Sequence, residues 1–153
     1  MKKTLAFALT VVMLGAGIWF SYRQRNTAPD EPESIIWLML EKSKAGDVEG
    51  YLDCFTGQTR AQLETTAQGM SLPKFSEYLK QSVAPVKGVA VYDVQRPSEV
   101  LTTLVVEYVY QDQNERQQMS LKKDKSRWRI EKAEASQRIQ PIIPYGKPVT
   151  DAQ

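Results

Sequence analysis

The chain has 153 residues, enough for one domain with a real core, and 20 basic against 18 acidic residues. A single cysteine, Cys54, excludes an intrachain disulfide, and the absence of histidine removes the usual neutral-pH general base and the commonest metal ligand. Four basic residues (Lys2, Lys3, Arg23, Arg25) precede Asp30 and all 18 acidic ones lie at or after it, so the remainder, 16 basic against 18 acidic, carries −2 and lacks the basic field that nucleic-acid binding wants.

Met1-Lys2-Lys3 opens onto an uncharged run over 4–22. Its apolar part, Leu5 to Phe20, is short for a spanning helix, which needs about 20 residues. Trp19 and Tyr22 suit the membrane interface, and Arg23 and Arg25 would stop the span. A cleaved secretory signal is one reading, with Gly15-Ala16-Gly17 as a weak cleavage site. An uncleaved anchor is favoured, because Ile18-Trp19-Phe20 carries the run past the cut. Both readings place the domain across the membrane; a buried core helix is the plain alternative. No cysteine follows the run, which argues against a lipoprotein anchor. Residues 1–25 are therefore expected to be a signal anchor or signal peptide, and 26–33 a short polar linker.

Helices come next. Asp30 with Glu33 resembles a capping box, and Pro32 suits a first turn. Ile35, Leu38, Met39 and Lys42 follow helical spacing. Gly46 is a C-terminal stop and Asp47 a cap for the next helix. There Val48, Tyr51, Leu52 and Phe55 fall at i, i+3, i+4 and i+7. Gln58 to Gly69 predicts a third helix turned inward by Leu63, Ala67 and Met70. Ser71 opens a fourth, with Phe75, Tyr78, Leu79 and Val83 on one face.

Strands follow. Val86 to Gln95 predicts the first, and Arg96-Pro97-Ser98 a turn. Val100 to Tyr110 alternates between two largely apolar sets, so a central strand covered on both faces is expected. Gln111 to Glu115 reads as a turn and Gln117 to Lys122 as a strand. After a turn at Lys123–Ser126, Arg127 to Lys132 alternates, with Trp128 and Ile130 inward. The expected fold is α+β. Helices pack on one face of a curved antiparallel sheet of about four strands over 34–136, and a Pro-rich extended tail occupies 137–153.

The turn Ala45-Gly46-Asp47-Val48-Glu49-Gly50-Tyr51-Leu52-Asp53-Cys54-Phe55, the helices-then-meander order and the closing Trp128-Arg129-Ile130 resemble the nuclear-transport-factor-2-like superfamily, the cystatin-like α+β cone. The likeness covers about Glu33 to Glu134. It implies a long sheet wrapped round the helices with a cavity at the open end. The superfamily includes isomerases, dehydratases, binding proteins and dimerisation modules, so fold does not settle function. The Asp–His pair common in its enzymes has no counterpart in a chain without histidine.

Several residues are candidates for a site. Asp93 and Glu107 share strand faces with apolar neighbours; a buried carboxylate would have a raised pKa and could act as a general base, whereas on an outer or edge face it would simply meet water. Trp37, Tyr51, Phe55, Tyr92, Tyr108 and Trp128 could line an apolar pocket or could fill it. Lys122, Lys123, Lys125, Arg127 and Arg129, with Arg116 and Lys132, are the one charge asymmetry of the domain. They could face anionic lipid or an acidic partner, or be solvated turns. Cys54, with no cation near it in sequence, reads as an inert buried thiol. No phosphate-cradling loop, nucleophile elbow or metal-ligand spacing is present, and no cofactor is expected.

The expectation is a bacterial membrane protein with its domain on the extracytoplasmic side, acting as a non-catalytic binding or assembly module. Its partners would be the membrane through residues 4–22, a small apolar ligand or a protein, and a second copy through the sheet. The alternatives are a cofactor-free isomerase or dehydratase using a pocket carboxylate, and a structural subunit of an envelope complex.

Overall fold

The computed structural model describes residues 31–139. The expected anchor over 4–22, Asp30 of the expected capping box and the Pro-rich segment from residue 140 onward lie outside the described residues.

Four helices lead: α1 (Ser34–Ala45), α2 (Val48–Asp53), α3 (Gly57–Met70) and α4 (Leu72–Val83). Five strands follow: β1 (Gly88–Ser98), β2 (Leu101–Val109), β3 (Asn114–Asp124), β4 (Arg127–Ala133) and β5 (Gln137–Ile139). The sheet is open and antiparallel, in the order β1-β2-β3-β4, with β5 also on β3. Among the described residues no helix is long and apolar enough to cross a membrane.

The helical half is set by local signals. Ile35, Ile36, Met39 and Leu40 put one buried stripe on α1. Gly46 ends the helix in the left-handed region (φ 68°), and the Asp47 N–H returns to the Lys42 carbonyl at 3.0 Å. Asp47 then caps α2 by accepting from the Gly50 N–H at 2.9 Å. Glu33 occupies the α1 cap position without a side-chain cap bond. The α2 helix stops at Asp53, so Phe55 lies beyond it, where it forms an isolated bridge to Ile130. The Thr56 N–H donates to the Ile130 carbonyl and the Ile130 N–H to that of Cys54, which ties this turn to the outer edge of β4. Ala67, Phe75 and Leu79 are buried, whereas Met70 and Tyr78, both expected inward, are exposed. Tyr78 instead stacks its ring on Phe75, with centroids 5.9 Å apart.

Strand β2 is central, but only one of its faces is covered. Thr102, Leu104 and Val106 are buried against the helices, while Thr103, Val105, Glu107 and Val109 are half-exposed. The expectation of cover on both faces is corrected: all four helices lie on one side, and β-branched residues suit a pleated surface whether or not it is buried. Strand β1 runs on through Arg96-Pro97-Ser98, where a turn was expected. Among the described residues it is an edge strand, where Pro97 is tolerated. Two bulges bend it, one holding Asp93 at φ 55°. β3 starts at Asn114, three residues before the expected Gln117, and its polar beginning pairs with β5. The sheet therefore has five strands rather than about four; the fifth takes the first residues of the expected tail.

Candidate functional site

The inner face of the sheet and the helices above it border an open-mouthed cavity of about 290 Å³. Met39 and Leu40 of α1, Tyr51 of α2, Phe55, and Leu63 of α3 supply most of its apolar wall. Tyr108, Glu115, Gln117 and Met119 rise from the sheet, with Tyr110 just past β2 and Ser136 just before β5. The volume is at the small end of ligand pockets, which run from about 300 Å³ upward. The cavity lies toward one end of the sheet, where β2 finishes and β3 begins.

Two tyrosines dominate it. Tyr51 packs its ring 5.0 Å from Phe55 and 6.3 Å from Phe75. Burial pushes its phenol up to about 12, with smaller contributions from Tyr78 and Cys54. Burial also raises Tyr108, followed by the neighbouring Tyr51 and Tyr110. Both phenols are therefore neutral donors at any physiological pH. Among the described residues neither hydroxyl has a protein hydrogen-bond partner. Neither is among the described polar atoms that are fully buried without a partner, so both face the open space of the cavity.

Glu115 is the carboxylate of the cavity wall. It accepts from Gln113 Nε2 at 3.3 Å and from Ser136 Oγ at 3.1 Å. Its charge, after burial, raises the nearby Tyr110 phenol. Neither Glu115 nor Tyr110 was among the sequence candidates. A signal existed: Glu115, Gln117, Met119 and Leu121 share one strand face, so extending the β3 alternation backward reaches Glu115.

The structure divides the aromatic candidates. Tyr51, Phe55 and Tyr108 line the cavity. Trp37 is 48% exposed on α1, and Trp128 is buried core with Lys123 Nζ 5.7 Å from its ring centroid. Tyr92 lies on the outer sheet face, because its register partner is Val105 rather than a helix-facing residue.

The carboxylate candidates are elsewhere too. Asp93 is exposed in the β1 bulge. Glu107 is on the outer face, where it accepts from Tyr92 Oη at 2.9 Å, Asn114 Nδ2 at 2.7 Å and Arg116 Nη2 at 3.4 Å. The Tyr92 and Asn114 bonds hold its pKa below the ordinary value against the opposing effect of burial, with lesser help from Arg116. A raised-pKa base at Glu107 is thus corrected: hydrogen bonding to the charged form outweighs desolvation here.

Cys54 is buried, and its thiol donates to the Gly50 carbonyl at 3.3 Å. Burial first, then Asp53, pushes it up to about 12, which leaves almost no thiolate. The basic cluster is partly neutralised: Lys122 pairs with Glu131 at 3.3 Å and Arg129 with Asp124 at 3.0 Å. Among the described residues no three His, Cys, Asp or Glu side chains gather to hold a metal.

No family model matches the chain, and no curated protein matches it.

Proposed function

We propose that the protein is a membrane-anchored binding module whose cavity takes one small, mostly apolar ligand with a hydrogen-bonding head. The single observation that carries this reading is the pair of phenols, Tyr51 and Tyr108, both half-buried in the cavity wall with hydroxyls that bond to no other described residue. Both hydroxyls reach the open space of the cavity, where a ligand acceptor would take the place of water. Glu115 adds an acceptor and a negative charge in the same wall. The ligand head would then carry an acceptor for a phenol and a donor, neutral or cationic, for the carboxylate. The apolar run over 4–22 supports the anchored part of the reading. The helices-then-meander order and the cavity at one end of the sheet support a curved cone of the nuclear-transport-factor-2-like kind.

A thermal-shift screen of small amphipathic molecules on the full chain in detergent tests the binding. We expect hits that Tyr51→Phe together with Tyr108→Phe weaken by roughly ten-fold, the loss of two modest hydrogen bonds. Leu63→Trp, which fills the cavity, should abolish them. Hits that survive Leu63→Trp would place binding elsewhere and end the proposal.

One observation favours a second reading, an isomerase-type enzyme: the cavity does contain a carboxylate beside a tyrosine, Glu115 with Tyr110. Glu115→Gln separates the two readings, because it would abolish turnover of a cavity ligand in an enzyme but only shift affinity in a binding module.

A further inference from the structure

The two ends of the sheet differ in character, and the difference points to the membrane. The cavity sits where β2 ends. At the opposite end, roughly 25 Å of strand away, the β1–β2 hairpin and the β3–β4 turn come together. Leu101 pairs with Lys122, and the Lys123 N–H donates to the Val100 carbonyl at 2.8 Å, which holds the two tips side by side.

These tips present an unusual pair of surfaces. Val100 is 50% exposed and Leu101 39%, although they are apolar. Beside them stand Lys122, Lys123, Lys125, Arg127 and Arg129, against only Glu99 and Asp124 in the same two tips. Lys125 and Arg127 are exposed and make no ion pair among the described residues. Lys125 occupies the turn itself, at φ 58°.

The chain enters the domain at this end. Glu33, just before α1, lies 3.7 Å from Arg96 near the end of β1. Only the eight residues 23–30 separate Glu31 from the apolar run over 4–22. Fully extended they span at most about 29 Å. An anchored domain would therefore hold this end within reach of the lipid headgroups.

We infer that the paired tips around Val100 and Lys125 form a docking surface for an anionic bilayer, with the domain standing on the membrane and its cavity end pointing away. The inference rests on the anchored reading above. Val100 and Leu101 would enter the interface, and the basic side chains would meet lipid phosphates. Each basic residue near an anionic surface strengthens association by roughly five-fold.

The test uses the full chain with Cys54→Ala and one new cysteine, carrying an environment-sensitive fluorophore, at Glu99→Cys or at Asp112→Cys on the far end. The vesicles are phosphatidylcholine with or without phosphatidylglycerol, doped with a headgroup spin-labelled lipid. The expected result is strong quenching at position 99, increased by phosphatidylglycerol and weakened by salt, with little at position 112. Val100→Ser with Lys125→Glu and Arg127→Glu should remove most of it while the protein stays with the vesicles. Equal quenching at both positions, stronger quenching at 112, or indifference to phosphatidylglycerol would overturn the inference and leave the basic tips to an acidic protein. A chain that does not sediment with the vesicles at all would overturn it by removing the anchored reading beneath it.

Discussion

Glu107 and Glu115 have the same side chain and opposite settings. Glu107 faces out and is wrapped by Tyr92, Asn114 and Arg116, whereas Glu115 faces in and borders the cavity. Register decides this. Glu107 pairs with Arg116 on one face, and Glu115, one residue earlier on β3, belongs to the other. The lowered pKa of Glu107 has a consequence for stability. Its network contributes fully above the ordinary value of 4.5 and is lost as pH falls through the lower native value. Glu107→Gln should therefore cost about 1 kcal/mol at neutral pH, and the difference from the parent should vanish in acid. Urea melts at neutral and acid pH check this; a difference that persists in acid would show that packing, not charge, dominates the site.

At the scale of elements, the helices and four of the five strands were legible, while the start of β3 and all of β5 were not. Gly46 and Asp47 mark the α1–α2 junction because a left-handed residue and a side-chain cap are local requirements. The start of β3 carries no such mark. Asn114 to Gln117 are all polar, and what makes them a strand is pairing with β2 and with the distant β5. The same non-local cause hid Glu115, while the helical and strand periods of Tyr51 and Tyr108 were enough to nominate them. Helical spacing gives a face but not its width, so Met70 and Tyr78, expected inward, lie exposed at its margin. Strand β2 offers the sharpest check on the one-sided sheet. Leu104 is 1% exposed and Val105 only half-buried, so Leu104→Ala should cost roughly 3 kcal/mol and Val105→Ala less than about 1 kcal/mol. Chemical denaturation measures both; equal losses would mean that the outer face is covered as well.

On the scale of the whole molecule, the sheet carries two different surfaces along its length. Its exposed apolar and basic tips lie at the end where the chain enters, and its tyrosine-lined cavity at the other. A module standing on a membrane in this way would keep its binding site open to the surrounding space. Among the described residues, the outer face carries Val105 and Val109, half-exposed round the Glu107 network. The central claim is that the cavity is a working site rather than a packing defect. Native mass spectrometry of the full chain, extracted gently from its own membrane, tests it most directly. The account predicts a reproducible added mass of one small molecule per chain, absent from Leu63→Trp. The parent chain repeatedly found at its bare mass, or an adduct equally present on Leu63→Trp, would contradict it.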